Sequence, residues 1–432
     1  MMIRTRIAPS PTGFAHVGTA YTAIFNYAYA RKGKGKLVLR LEDTDVKRKV
    51  KGAEEAVYAG LSWLGITWDE GPDKGGKFGP YRQSERLEIY KKKADALVRS
   101  GDAFEDEGAI RFKNSGSDME WTDKVRGKIS FPGGEVRDFV IMKSDGYPTY
   151  NFAVVVDDIE MKITHVIRGE EHISNTPRQL ALYKAFGVQP PEFAHLPTLR
   201  NAEHKKLSKR GDAVDLGAFR KEGYLPEALV NFLCLLGWSH PDEKEVFGLD
   251  EFIKHLSLDR IKKAGPIFDI KKLDWLNGIY IRNKDNKDLA HLVNEHVTND
   301  VSGTSVEEVA PLIKDRVNKL SEANDLLEFF WSAPQVGKEL FGDESPRHLA
   351  SAARVLGEIK NWNLGQVNKK FAGEIKKKKF KTGDFYMSLR IALSGKKITP
   401  PINESIVILG QDKVLHRLEE AQKALLEMQP AD

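Results

Sequence analysis

A single cysteine, Cys234, stands among 432 residues. No disulfide can close within the chain, and no cysteine zinc cluster can be built. Cys234 lies in the apolar run Leu233 to Leu236 and reads as a small buried hydrophobe. Long apolar runs are also lacking. None approaches the roughly 18 residues that a membrane-spanning helix needs. The opening MMIRTRIAPS goes straight into strand-like residues, so no leader peptide is expected and the cytoplasm is the expected location. A strong excess of charge of one sign is missing too, with 67 Lys and Arg against 62 Asp and Glu. The formal net charge of +5 permits a polyanionic partner without requiring one. No repeat of fixed period is present.

What is present is enough for several cores. The length suggests roughly two to four domains. The first half alternates strands with helices. Residues Ile3 to Ala8 are strand-like and stop at Pro9, and PSPTG (Pro9 to Gly13) is turn chemistry. Ala20, Ile24 and Ala28 follow at helical spacing, and Gly33 and Gly35 mark that helix's end. The strand LVLRL (Leu37 to Leu41) then leads into Glu42, Asp43 and Asp45. A second unit of this kind opens with the strand His165 to Arg168. Its helix has Thr176 as expected N-cap, Pro177 as first helical residue and Gly187 as stop, and Phe193 to Leu199 forms the next strand. Two such units predict the halves of a doubly wound parallel sheet of Rossmann type. Residues 93–145 carry short alternating pieces among Gly, Ser and Asp, which reads as an inserted subdomain. After about residue 248 the chain turns mainly helical. The fold expected is therefore multidomain, α/β plus α. Its parts are residues 1–92 and 146–247 for the two halves of the α/β domain, 93–145 for the insert, 248–305 for a linker domain and 306–432 for a helical region.

In open α/β sheets the ligand sits outside the carboxyl ends of the strands, so residues just past each strand are the informative ones. Past the first strand come Ser10, His16, Gly18 and Thr19 at a helix start, where N–H groups and a positive dipole end suit a phosphate. Gly18 would admit a ligand close to the backbone. The bland alternative for His16 is an ordinary helix cap. Past the second strand, Glu42, Asp43 and Asp45 could hold an ammonium or a metal, or be a solvated helix entry. Further on, HKKLSKR (His204 to Arg210) concentrates lysines suited to a polyphosphate, or forms a solvated charge run.

RIAPSPTGFAHVGTA (Arg6 to Ala20) resembles the first signature of class I aminoacyl-tRNA synthetases in its glutamate-enzyme form, with Thr19 in place of the second histidine. KLSKR (Lys206 to Arg210) resembles the second signature. RLEDTD (Arg40 to Asp45), GPYRQSER (Gly79 to Arg86), KSDGYPTYNFAVVVDD (Lys143 to Asp158), VIRGEEHISNTPRQ (Val166 to Gln179) and LVNFLCLLGWS (Leu229 to Ser239) are also similar to this family. Near the end, LRIALSGKKITPPI (Leu389 to Ile402) and ILGQDKVLHRLEEA (Ile408 to Ala421) look like the tail of the bacterial glutamate enzymes. The likeness covers nearly the whole chain, in order.

The resemblance implies a glutamyl-tRNA synthetase activity. Glutamate would be activated with ATP and Mg²⁺ and transferred to the terminal adenosine of the glutamate tRNA, with the glutamine tRNA as a further candidate acceptor. By similarity, His16, Lys206 and Lys209 are catalytic. His16, Gly18, Thr19, Lys206, Ser208 and Lys209 bind ATP. Arg6, Ser10, Glu42, Tyr150 and Arg168 bind glutamate. Glu42 would pair with the substrate ammonium, and Arg6 or Arg168 with its side-chain carboxylate. The bland alternatives are an ion pair of Arg168 with Glu170 or Glu171, and a core position for Tyr150. Val154 stands where some relatives carry a polar residue, and no contact is assigned to it. The insert would bind the acceptor stem and the helical tail the anticodon, with Lys376 to Lys379, Lys369, Lys370, Lys381 and Arg316 as tRNA-contact candidates. No protein metal, no zinc and no membrane are expected, and a monomer is. The alternatives are a glutaminyl-tRNA synthetase and a non-catalytic tRNA-binding paralogue.

Overall fold

The computed structural model describes residues 2–11, 13, 15–45, 50–207, 214–298 and 303–426. It divides into two compact units. One comprises Met1–Lys221 and Leu225–Leu276, the other Glu222–Tyr224 and Asn277–Asp432.

In the first unit, β1 (Arg4–Ile7), α1 (Val17–Lys32) and β2 (Lys36–Leu39) form a parallel crossover, with Arg6 opposite Val38. The apolar residues expected on α1 are all buried, Ala20, Ile24, Phe25 and Ala28 among them, and Gly33 caps the helix end. Then come α2 (Ala53–Trp63) and α3 (Leu87–Ser100). The short pieces of the predicted insert form β3 (Ala103–Asp106), β4 (Ala109–Phe112), β5 (Met119–Asp123), β6 (Gly127–Phe131) and β7 (Phe139–Met142). All of their pairings are antiparallel, in a three-stranded sheet of order β3-β4-β7 and a β5-β6 hairpin. Phe112, Trp121 and Ile141 from these strands share one apolar cluster with Val38, Tyr90, Phe152 and Val155.

After α4 (Tyr150–Glu160), a second parallel crossover runs through β8 (His165–Gly169), α5 (Thr176–Ala185) and β9 (Glu192–Leu196), where Pro197 ends the strand. The two parallel pairs meet at β1 and β8. There Arg4 O accepts from Thr164 N at 3.0 Å, and Asn26 of α1 donates its Nδ2 to Ile167 O at 2.9 Å. A side chain thus takes a carbonyl that a continuous ladder would have used. The expected N-cap of α5 is corrected. Asn175 occupies the cap position and Thr176 is the first helical residue, with Pro177 next. The Thr176 hydroxyl is instead committed to His172 O and to Arg168, as described below. Helices α6 (Leu216–Lys221), α7 (Pro226–Gly237) and α8 (Leu249–His255) complete this unit. Cys234 is buried in α7, and burial raises its thiol pKa well above the ordinary value.

The division between the units falls within α9 (Ile270–Asn283). The second unit is built from α10 (Asn286–Asn294), α11 (Val306–Val309), α12 (Ala323–Leu327), α13 (Ser345–Gly357), α14 (Leu364–Lys378), α15 (Thr382–Ser394), α16 (Ile402–Leu409) and α17 (Gln411–Leu426), with short 3₁₀ turns between them. It has no strand among its described residues. Its core is apolar, with Leu349, Leu356, Phe371, Phe385, Leu389, Ile406 and Leu418 buried.

Candidate active site

A cavity of about 470 Å³ opens at the carboxyl ends of β1, β2 and β8. Arg6, Ser10, His16, Gly18, Thr19, Glu42, Tyr150, Arg168 and Lys206 all line it. These are nine of the eleven residues expected from the sequence to have a catalytic, ATP-binding or glutamate-binding role. The other two, Ser208 and Lys209, lie outside the described residues.

His16 is the N-cap of α1, and its Nδ1 accepts from Gly18 N at 2.9 Å. The neutral ring therefore carries its proton on Nε2. The first N–H groups of α1 are already used. Val17 N donates to Val214 O, and Thr19 N and Ala20 N donate to His16 O. This corrects the expectation of open N–H groups at the helix start, and any phosphate contact here falls to side chains and the helix dipole. The role of Gly18 shifts with it. A Cβ at this position would lie 3.1 Å from His16 Nδ1, so the missing side chain makes room for the cap.

Glu42 reaches the cavity because the β1–β2 pairing continues past the strands, through Arg40 N to Ile7 O and Glu42 N to Pro9 O. Beneath it Arg40 is fully buried. Its Nη2 donates to Glu42 Oε1 at 3.1 Å and its Nη1 to Asp158 Oδ1 at 2.6 Å. Asp158 also lies 3.4 Å from Arg6 Nε. Next to this group, Asp157 accepts from Arg86 Nε at 2.7 Å, Gln83 Nε2 at 2.8 Å and the Tyr90 hydroxyl at 2.9 Å. Burial raises the pKa of Glu42, against the opposing pull of Arg40 and Arg6.

Arg168 is buried, yet it makes no ion pair among the described residues. Its Nε donates to His195 Nε2 at 3.1 Å and its Nη2 to the Thr176 hydroxyl at 2.8 Å. Its Nη1 is buried with no hydrogen-bond partner among the described residues. The bland pairing with Glu170 or Glu171 does not occur, since Glu170 pairs with Arg126 and Glu171 with Lys206. Burial pulls the Arg168 pKa down, the direction expected of a guanidinium without a carboxylate. Tyr150 is not a core residue. It is 36% exposed and stacks on His172, its hydroxyl 3.2 Å from His172 Nδ1. Burial and the Arg168 charge push the His172 pKa down to about 4, so this ring stays neutral near pH 7.

Sequence reasoning missed Arg40, Asp158, His172 and His195. Arg40 at the end of an apolar strand and the Asp157–Asp158 pair closing the run Phe152 to Val156 were visible signals. A charge inside an apolar stretch implies a buried partner, but Arg40 and Asp158 lie 118 residues apart and Arg86 and Asp157 lie 71 apart.

Metal-ligand chemistry gathers elsewhere among the described residues at His240, Glu251 and His255, whose ligand atoms lie within 4.8 Å of one another. His240 Nδ1 accepts from Asp242 N, so the neutral ring carries its proton on Nε2, the atom facing Glu251 at 3.1 Å. Lys244 reaches the same carboxylate at 2.7 Å. The Lys244 ammonium bonds Glu251 and His240 Nε2 faces it without a hydrogen bond among the described residues, an ion-pair cluster rather than a ligand set. No helix among the described residues is long and apolar enough to cross a membrane.

Residues 2–109 and 105–275 match the family model for the catalytic domain of class I tRNA synthetases (E and Q), and residues 288–422 match an anticodon binding domain. A glutamate–tRNA ligase of Fervidobacterium nodosum is 39% identical, the match covering 96% of this chain and 98% of the relative. One from Acidothermus cellulolyticus is also 39% identical, covering 98% and 95%. The crystal structure of a glutamate tRNA ligase from Elizabethkingia meningosepticum in complex with its amino acid superposes with a TM-score of 0.88 at 30% identity, covering 98% of this chain and all of that one. With two family models matched in order and relatives this similar over their whole length, the chain belongs to the class I tRNA synthetases of the E and Q group, in the glutamate–tRNA ligase family.

Proposed function

We infer that this chain joins L-glutamate to tRNA in two steps, and that the cavity between His16, Glu42 and Arg168 is where both occur. The observation that carries this reading is Arg168. It is a buried guanidinium with one nitrogen unpartnered among the described residues, lining the same cavity as the carboxylate of Glu42. A ligand bearing a carboxylate at one end and an ammonium at the other satisfies both. A neutral amide in place of the side-chain carboxylate leaves the Arg168 charge uncompensated, which disfavours glutamine.

In the first step an oxygen of the glutamate α-carboxylate attacks the α-phosphorus of ATP, and the bond from that phosphorus to the bridging oxygen of the β-phosphate breaks to release pyrophosphate. That carboxylate is already ionised at neutral pH, so no general base is required. The protein's part is to position the reactants and stabilise developing charge. His16 serves as a phosphate donor through Nε2–H, above a floor formed by Gly18 and Thr19. Lys206 and Lys209 stabilise the departing pyrophosphate, with Ser208 donating a hydrogen bond. Mg²⁺ enters with ATP as part of that substrate. Arg6, Ser10 and Tyr150 complete the amino-acid pocket. In the second step a ribose hydroxyl of the terminal adenosine of tRNA attacks the acyl carbon, and AMP leaves.

Residues 93–145 take the acceptor end, 248–305 contact the stem and 306–432 the anticodon, with the glutamate tRNA as partner. The chain acts as a cytoplasmic monomer. The deciding experiment charges purified glutamate and glutamine tRNAs with labelled glutamate, and with labelled glutamine in parallel. Glutamate on the glutamate tRNA alone would identify a discriminating enzyme. Glutamate on both would identify a non-discriminating enzyme. Glutamine charging, or none with ATP and Mg²⁺ present, would overturn the reading.

A further inference from the structure

Arg168 does not hold its own orientation. Its Nε–H points at His195 Nε2, 3.1 Å away, from a strand pair in which Arg168 of β8 stands directly opposite His195 of β9. An arginine Nε always carries hydrogen, so His195 Nε2 must accept and the ring proton must sit on Nδ1. Nδ1 lies 2.5 Å from Asp123 Oδ2, and a carboxylate there can only accept. Asp123 is itself fixed. Its Oδ1 accepts from Val125 N at 3.0 Å, Arg126 N at 2.9 Å and His195 N at 3.2 Å. Asp123, His195 and Arg168 have relative exposures of 2%, 0% and 4%, so water competes for none of these bonds.

We propose that Asp123 and His195 are positioning residues for the ligation reaction, aligning the Arg168 guanidinium on the substrate side-chain carboxylate by fixing the His195 tautomer. The line begins in the insert, at the last residue of β5, and ends in the amino-acid cavity. The segment read as acceptor-binding therefore also holds the group that selects the amino acid. With the opposite tautomer, Nε2–H would oppose the Arg168 Nε–H, and the guanidinium would have to turn away from the position that leaves Nη1 unpartnered. His195 stays neutral because burial, aided by the Arg168 charge, holds its pKa below the ordinary value despite Asp123.

This inference rests on the reading of Arg168 as the carboxylate-binding residue, and the test separates the two. The full-length enzyme is assayed for tRNA charging with ATP and Mg²⁺ present, titrating glutamate and ATP in turn. Asp123→Asn keeps shape and the backbone acceptor but offers an N–H toward Nδ1, forcing the wrong tautomer. It should raise the glutamate KM about tenfold, the effect of misplacing one charge-assisted hydrogen bond, with the ATP KM within twofold of the parent. His195→Leu, which removes the acceptor, should do the same. His195→Gln places a carbonyl oxygen where Nε2 stood. It should stay near the parent, and Asp123→Asn added to it should cost little more. Should Asp123→Asn fold poorly, the His195→Leu and His195→Gln pair still decides the matter. Glutamate KM values within twofold of the parent in both Asp123→Asn and His195→Leu, or parallel changes in both KM values, would overturn the proposal. A parent enzyme that does not charge glutamate would instead sink the functional reading beneath it.

Discussion

The two units treat charge in opposite ways. In the catalytic unit Arg4, Arg6, Arg40, Arg86, Arg168, Asp123, Asp157 and Asp158 are all buried, most of them joined in networks under the cavity. In the helical unit Glu374 and Arg417 are the only acidic or basic side chains apart from His348 buried among the described residues. Arg417 donates to the carbonyls of Leu393 and Ser332, and burial lowers its pKa to about 10. Removing a charge from water costs several kcal/mol unless pairing and hydrogen bonds offset it. The helical unit largely avoids that cost and packs leucine and phenylalanine. The catalytic unit accepts it where a charged substrate must be recognised. The lesson is that buried charge marks the reactive end of this molecule more sharply than its overall composition does.

The largest expected effect on glutamate use is at Arg168, the buried charge with no carboxylate partner among the described residues. Arg168→Ala should weaken glutamate use by about 2–5 kcal/mol, the cost of breaking a buried charged contact, which is roughly 30-fold or more in KM. Steady-state charging that varies glutamate and then ATP checks this. An unchanged glutamate KM would mean that the unpartnered guanidinium does not mark the pocket. Next comes Arg40→Leu, which leaves a smaller apolar side chain and takes from Asp158 and Glu42 their shared partner. Breaking such a buried pair costs about 3–5 kcal/mol, read as a lower midpoint in denaturant together with a raised glutamate KM. A variant of wild-type stability would erase the contrast between the units.

A pH effect should be smaller. Burial holds Glu42 above the usual carboxylate range, so on acidification it takes a proton earlier than a surface glutamate does. The substrate ammonium then loses its partner, and the glutamate KM rises as pH falls while the ATP KM does not follow. Glu42→Gln should show a high glutamate KM that no longer varies over that interval; if its profile still bends like the parent's, another group is titrating. Smallest is Lys370→Ala in the helical unit. Lys370 pairs with the exposed Glu358 at 2.6 Å, and solvent screens that contact. Thermal unfolding should show no change in Tm beyond experimental error. A clear fall would mean that the helical unit also depends on its ion pairs.

Part of the site was readable because strand ends are where an open sheet binds ligands, while Arg6, Tyr150 and Arg168 were implied by the family resemblance. Ser10 and Glu42 each follow a strand that the apolar pattern located, and both reach one cavity. The Thr176 cap was misread because local preference favours threonine before proline, whereas Arg168 and His172 O claim its hydroxyl in the fold. His16 was legible both as cap and as ligand group. Only the geometry shows that capping consumes Nδ1 and leaves the ring proton on Nε2.

The sequence by itself determined the order of elements, the split into an α/β and a helical part, the family, and the residues gathered at the strand ends. Those follow from periodicity, turn chemistry and motif order, all of which are local along the chain. The tertiary structure alone decided which charge meets which. Arg40 finds Asp158 across 118 positions, and His195 finds Asp123 across 72. It also decided that Arg168 has no carboxylate among the described residues and that the first N–H groups of α1 are used internally. A charge inside an apolar run announces that a partner exists. Its identity depends on distances that close only when the crossovers pack, because Coulomb and hydrogen-bond energies fall off over a few ångströms whatever the separation in sequence.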